Sequence, residues 1–291
     1  MRLAVVALGG NAVITPKERG TLEEQVKHIN QTVSHLKKLS KRYRLVITHG
    51  NGPQVGDLLL QQEKAKPTIP AMPLDVCDAM TQGQLGYLLQ RSIQNILNKK
   101  AATVITQVLV NKNDPAFKNP TKPIGPYYKY KIEKDMIEEP EGWRRVVASP
   151  KPIRIIEIEE IKSLVNKGYV TIACGGGGVP VIKDNGLKGV EAVIDKDFAT
   201  ERLAIQLKAE MIVFLTDVDH VYINYESVNP IAVRKMSVDE AKKLMHNFKE
   251  GSMKPKIEAS IDFLKKGKRV IITKPELLDR ALEGKAGTVI E

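Results

Sequence analysis

Apolar residues in this chain gather in short runs separated by amphipathic stretches, and that alternation predicts the architecture. Near-continuous apolar runs at residues 2–8, 44–48, 103–110, 169–174, 211–216, 269–273 and 288–290 read as strands, several of them buried on both faces. Between many of them the period lengthens. Thr21-Leu22-Glu23-Glu24 is a capping box, and Leu22, Val26, Ile29, Val33 and Leu36 follow at helical spacing. Leu85, Leu89, Ile93, Ile96 and Leu97 mark a second helix, and Leu203, Ala204 and Leu207 share a face of a third at 197–208. Ser237-Val238-Asp239-Glu240 is another capping box, leading into Ala241, Leu244, Met245 and Phe248. A last helix at 254–266 places Ile257, Ile261 and Leu264 together. Strand–helix–strand alternation predicts an α/β fold: an open, mainly parallel sheet with right-handed crossovers and helices on both faces. Ligands in such sheets bind beyond the carboxyl ends of the strands, so the residues after each strand carry the functional question.

One region breaks the rhythm. Residues 111–152 hold Pro115, Pro120, Pro123, Pro126, Pro140, Pro150 and Pro152, with Tyr127, Tyr128, Tyr130 and Trp143 among them. This proline density argues against regular core elements, and the aromatics predict an ordered flap over the site.

Three strands end in glycine. The first runs into Gly9, Gly10 and Asn11; the second into His49, Gly50, Asn51, Gly52 and Pro53; a third into Cys174 and the run Gly175, Gly176, Gly177, Gly178. Glycine lets backbone N–H groups approach a ligand closely, and such amides suit phosphate oxygens. Gly50, Gly52 and Gly56 also invite a dinucleotide reading, but residues 57–70 contain no clear strand ending in a ribose-binding acid. A GxxxxGK[ST] motif is absent, which excludes a P-loop enzyme.

Composition narrows the choice. The 291 residues suffice for one large domain, and no window approaches the ~18 uninterrupted apolar residues of a membrane span. With no secretory pattern at the start, the expected compartment is the cytoplasm. Lys and Arg outnumber Asp and Glu by 45 to 34, a surplus of +11 that draws anions. The basic residues are scattered and aromatics make up only 5%, so a nucleic-acid platform is not expected. Cys77 and Cys174 stand far apart and read as buried thiols, and the five histidines show no zinc spacing.

Lysines supply the remaining chemistry. Lys196 lies in Val193-Ile194-Asp195-Lys196-Asp197, just before a helix, and Lys256 in Gly251-Ser252-Met253-Lys254-Pro255-Lys256, before another. Lys122 sits in the flap between Pro120 and Pro123. Asp195 is placed to order the ammonium groups or a metal–nucleotide complex, or to cap its helix. Asp217 follows a strand at a place suited to nucleotide contacts.

Taken together, these strings resemble the carbamate kinases of the amino-acid kinase family. The matching segments are 7–11, 48–56, 73–76, Gln82-Gly83 with Gly86-Tyr87, 119–128, 143–147, 175–181, 189–197, 215–218 and 251–256, in the same order from end to end. The resemblance implies a three-layer αβα sandwich with a central parallel sheet, a small protruding flap and a homodimeric assembly. It implies a single domain over residues 1–291, in which an acceptor lobe at 1–190 (flap 111–152) precedes a nucleotide lobe at 191–291. The implied reaction is reversible transfer between Mg-ATP and carbamate, giving carbamoyl phosphate and ADP, with a place in arginine metabolism. The Mg²⁺ would travel with the nucleotide rather than sit in a protein cage. Carried over by motif, Gly9, Gly10 and Asn11 hold the transferring phosphoryl group; Gly50, Asn51 and Gly52 with Gly175, Gly176 and Gly177 line the acceptor site. Lys196 and Lys256 neutralise phosphates, Asp195 organises them, and Lys122 reaches in from the flap. Asp217, Tyr222 and Met253 are the expected adenosine-side contacts. The chain departs from the family pattern at Asp78, where glycine is usual, at Ala148 and Lys254, and in a shorter stretch at 129–142. Asp78, if it faces inward, would oppose an anionic acceptor. Another kinase of the same fold, acting on a different carboxylate or phosphate, would carry the same motifs.

Overall fold

In the computed structural model, which describes residues 2–10, 13–15, 18–225, 227–248 and 251–291, the apolar runs assemble into one eight-stranded sheet. Its strands in chain order are β1 (Arg2–Leu8), β2 (Tyr43–His49), β3 (Ala101–Thr103), β4 (Val170–Ile172), β5 (Met211–Leu215), β6 (Lys235–Met236), β7 (Arg269–Thr273) and β8 (Thr288–Ile290). Across the sheet they lie in the order β6-β8-β7-β5-β1-β2-β4-β3, and every neighbouring pair is parallel except β7 with β8. The chain leaves β1 toward β2 on one side and later returns to β5 on the other. That reversal opens a crevice at the carboxyl ends of β1, β2 and β5.

Period-two alternation sends each strand's side chains into two separate cores. Val5, Ala7, Val46, Ile212, Phe214, Val270 and Ile272 face one; Ala4, Val6, Leu8, Leu45, Ile47, Val213, Leu215 and Ile271 face the other. Six helices position the site: α1 (Leu22–His35), α2 (Gly52–Ala65), α3 (Leu74–Ser92), α4 (Ile158–Asn166), α5 (Lys196–Gln206) and α6 (Met253–Leu264). The first core takes Ile161 and Val165 of α4, Ala199 and Leu203 of α5, and Ile257 and Ile261 of α6. Ile29 and Val33 of α1 and Leu85 and Leu89 of α3 close the second. The predicted capping box at Thr21 and Glu24 is present at the start of α1, and that at Ser237 and Glu240 opens a short helix, Val238–Lys243.

Two elements differ from expectation. The apolar run at 103–110 is not one strand. Thr103 ends β3, while Gln107–Val110 joins a second, four-stranded sheet beside Val179–Lys183 and Pro152–Ile155. The flap is regular despite its prolines: Lys122–Tyr128, Met136–Glu139 and Gly142–Val147 form a three-stranded antiparallel sheet. Pro123 and Pro126 fit because their strand is an edge, paired only with Gly142–Val147, and its register shifts between Ile124 and Tyr128.

Candidate functional site

The first and third glycine turns sit where a side chain would collide, whereas at Gly50 and Gly52 of the second a Cβ would meet nothing nearer than 3.5 Å. A Cβ on Gly9 would lie 2.9 Å from the Leu215 carbonyl, whose oxygen accepts the Gly9 N–H at 2.9 Å. This close passage brings the ends of β1 and β5 together. At the third turn, Gly176 and Gly177 take φ of +66° and +100°, left-handed values that favour glycine. A Cβ on Gly176 would stand 2.3–2.6 Å from the Asn51 amide, and one on Gly177 2.1 Å from the Ile194 carbonyl oxygen. The turn is therefore packed against both the second strand end and the segment leading into α5.

That segment gathers the charges. Asp195 is the N-cap of α5: its Oδ1 accepts the Asp197 N–H at 2.9 Å. Its Oδ2 accepts from Lys122 Nζ at 2.6 Å, so the cap also anchors the flap lysine. Asp197, in the first turn of the helix and almost fully buried, accepts from the Lys196 ammonium on one oxygen and from Lys256 Nζ on the other, the latter at 3.1 Å. Lys256 Nζ also donates to the Ser252 carbonyl at 3.1 Å, closing the turn that starts α6. Burial opposes the Asp197 charge, but the Lys196 and Lys256 ammonium groups outweigh it and hold the carboxyl well below the usual carboxylate range. Burial lowers Lys196, against the pull of Asp197. Lys256 is raised because Asp197, Asp195 and Asp217 together overcome its desolvation. Three ammonium groups thus converge on two carboxylates at a helix N-terminus, an arrangement that accepts a phosphate readily.

Two cavities meet here. One, about 590 Å³, is lined by Gly9, Gly10, Asp217, Ser252, Lys256 and the turn at Lys274, Pro275 and Glu276. The other, about 780 Å³, is lined by Gly50, Asn51, Gly52, Gly176, Ile124 and Arg144. Gly10, Lys122, Asp195, Lys196, Gly251 and Ser252 line both, so Lys122, Asp195 and Lys196 stand in their common wall, while Asp197 and Lys256 face the first.

Most predicted site residues are brought together, some only indirectly. Gly175 and Gly177 lie behind the cavity wall rather than in it. Gly175 makes room for the His49 ring, whose Nε2 would sit 2.5 Å from a Cβ there. Burial pulls His49 down to about 4, against the Gly50 carbonyl, so the ring is neutral and no general base near pH 7. Asp217 lines the first cavity, whereas Tyr222 and Met253 do not: the Tyr222 hydroxyl donates to Asp219 Oδ1 at 2.8 Å, and Met253 packs against the core. Asn11 falls outside the described residues.

Two features escaped sequence reasoning. Asp197 as the shared partner of two lysines is marked in the sequence only by Asp-Lys-Asp at a helix start. The polar face of α1 was also missed: His28, Gln31, Thr32 and His35 line the first cavity. Their helical spacing opposite the apolar face of α1 marks a shared polar stripe.

The flap is seated on α2 by a backbone contact. A Cβ on Gly56 would come within 2.0 Å of the Gly125 Cα and amide nitrogen, and Arg145 of the flap pairs with Glu63 of α2 at 2.6 Å. Gly56→Ala should push the flap off α2 and carry Lys122 with it. A displacement of about 1 Å can cost ~10²-fold in rate, so kcat/KM should fall by ten- to a hundredfold in a protein that still melts cooperatively. Steady-state rates beside a thermal melt check this; unchanged kcat/KM would mean that the seat does not place Lys122.

A sequence profile of the amino acid kinase family matches residues 2–274. The carbamate kinase of Thermococcus kodakarensis is 46% identical over 312 aligned positions, covering 100% of this chain and 99% of the relative. That of Halobacterium salinarum is 48% identical over 304 positions, covering 100% and 98%. Among solved structures, carbamate kinase from Giardia lamblia bound to AMP-PNP superposes with a TM-score of 0.91 at 39% identity, covering 99% of this chain and 98% of that one. An isopentenyl phosphate kinase, at 15% identity and a TM-score of 0.55, shares the fold.

Proposed function

This chain belongs to the amino acid kinase family, and we propose that its cleft transfers a phosphoryl group between ATP and carbamate. The enzyme is an ATP-dependent kinase of the carbamate kinase type. One observation carries the reading: Lys122, Asp195 and Lys196 stand in the wall shared by two cavities, and Asp197 ties Lys196 to Lys256 on the side of the first. ATP occupies the cavity beside Asp217, carbamate that beside Asn51, and the γ-phosphoryl group passes across the wall between them. This assignment makes residues 1–190 chiefly the acceptor lobe and residues 191–291 chiefly the nucleotide lobe, with α1 lending its polar face to the nucleotide side.

Carbamate is already an anion, so its oxygen needs no base to become nucleophilic. The obstacle is repulsion between that oxygen and a negatively charged γ-phosphate. Lys196 and Lys256 neutralise the phosphate oxygens, the backbone amide of Gly10 orients them while Gly9, its own N–H given to the Leu215 carbonyl, holds the turn in place, and Lys122 closes the wall from the flap. Asp195 keeps Lys122 aimed and caps α5. Mg²⁺ enters with the nucleotide as part of the substrate and spreads the phosphate charge. A neutral His49 is consistent with a reaction that asks for no proton transfer.

The test is ATP synthesis from ADP and carbamoyl phosphate, with acetyl phosphate as a competing donor. Preferential use of carbamoyl phosphate is expected; preference for acetyl phosphate, or no ATP from either, would sink the carbamate assignment.

The functional unit is a homodimer. Val76, Met80 and Tyr87 stand 37%, 47% and 58% exposed at helical spacing on α3, with Ile69 and Met72 beside its start. An exposed apolar stripe of this kind fits a second copy of the chain. Light scattering should return about twice the 32.3 kDa of one chain. A particle of single-chain mass would remove the dimer. Cys77 and Cys174 are buried free thiols, as suits the reducing cytoplasm.

A further inference from the structure

Behind the acceptor cavity lies a carboxyl that phosphoryl transfer itself does not use. Asp78 of α3 is 0% exposed. The Asn51 amide nitrogen donates to Asp78 Oδ1 at 2.5 Å and to Thr81 Oγ1 at 2.7 Å, and the Thr81 hydroxyl donates to the Asp78 backbone carbonyl at 2.8 Å. Gly176 presses on Asn51 from the other side, close enough that a Cβ would overlap its amide. Asn51 is therefore held in one orientation, both amide hydrogens directed away from the cavity it lines. Asp78 Oδ2, also buried, has no hydrogen-bond partner among the described residues.

Burial pushes the Asp78 carboxyl up to about 7, against the Asn51 and Gln82 amides and with help from Asp75 one turn earlier. Across the Gly175 turn stands the neutral His49 ring. Cys77 beside it is a thiol that burial raises further, and the Lys196 ammonium is engaged with Asp197. The ionised carboxylate therefore meets little compensation, and a charge this deep is weakly screened by salt.

We propose that Asp78 is a positioning residue that sets acceptor affinity: it fixes Asn51 in the cavity wall, and its ionised form repels an anionic acceptor one side chain away. The proposal rests on the carbamate reading of that cavity. Protonated Asp78 keeps the Asn51 clamp without the charge, so the acceptor binds best on the acid side and progressively less well as Asp78 ionises.

Asp78→Asn retains an oxygen for the Asn51 amide and removes the titration. The measurement is KM for carbamoyl phosphate at saturating Mg-ADP, for wild type and variant, between about pH 6 and about pH 8.5. Ionisation of the substrates is common to both proteins and cancels in the ratio. The wild-type to variant KM ratio should rise about three- to tenfold toward the alkaline end, with the kcat ratio flat. Asp78→Ala, which loses the clamp as well, should raise KM at every pH and be rescued by asparagine. Melting curves give a reading independent of turnover. A carboxyl raised on folding is destabilising only as it ionises, so the advantage of the variant should widen from about pH 4 to about pH 7 and then level. A flat KM ratio in two active proteins would overturn the proposal alone, as would a pH-independent melting gap. No ATP from wild-type enzyme would overturn the carbamate reading and the proposal with it.

Discussion

Replacing Lys196 with alanine should lower kcat by about 10²–10³-fold while the protein stays folded. Lys196 belongs to the wall shared by both cavities, and its ammonium shares Asp197 with Lys256. Burial already disfavours its charge in the free protein, so removing it relieves a desolvation cost and leaves Asp197 still paired with Lys256. What is lost is charge placed where the transferring phosphoryl group gathers negative oxygens. A group that acts on the transition state lowers kcat and kcat/KM together, so KM for ADP should change far less than kcat. Lys256→Ala should behave alike, with some added loss of stability because its link to the Ser252 carbonyl goes too. Stopped-flow or coupled assays of both variants, with circular dichroism as a folding check, decide this. Turnover within a few-fold of wild type would remove these lysines from the chemistry.

Asp197→Ala should do the opposite: its first effect is on stability, by about 3–5 kcal/mol, and activity falls as a consequence. The substitution strands two buried ammonium groups side by side with their shared counter-ion gone. The penalty is the uncompensated charge rather than the worth of the pair, so Asp197→Asn, which keeps polar contacts but not charge, should recover only part of it. The pH dependence follows from the sign of the shift. The folded carboxyl lies below its unfolded value, so its stabilisation is complete above about pH 4 and drains away as pH falls through the folded value. Denaturant midpoints near neutrality and in acid measure both effects. A wild-type midpoint for Asp197→Ala would show that the lysines do not depend on it.

The two substitutions differ because of a geometry that only partly shows in the sequence. Lys122, Lys196, Lys256 and Asp195 were legible because each stands beside proline, at a helix start, or after an apolar run. Their convergence was not, since Lys122 meets Asp195 and Lys256 meets Asp197 across long chain separations set by the order of the strands. The run at 103–110 misled because continuous apolar character fits either sheet. Only the turn at residues 104–106, where the Thr106 N–H donates to Gln82 Oε1 at 2.9 Å, decides that the chain leaves the main sheet there. The prolines of the flap misled for a related reason: proline excludes the centre of a sheet, not an edge beside a register shift. The stripe from His28 to His35 was hidden because a polar helix face reads the same whether it meets water or a ligand.

By itself, the sequence determined that this is a layered α/β protein with amide-rich turns at three strand ends and lysines poised to meet phosphate. Those properties are local: hydrophobic period, capping residues and glycine turns are written within a few positions of where they act. Tertiary structure decided which strand ends are neighbours, that one carboxylate holds two lysines, and that Gly56 seats the flap. It also decided the place of Asp78, which points at the amide of Asn51 from behind the acceptor wall. These are relations between distant segments, fixed by the strand order on either side of β1 and by close packing against it.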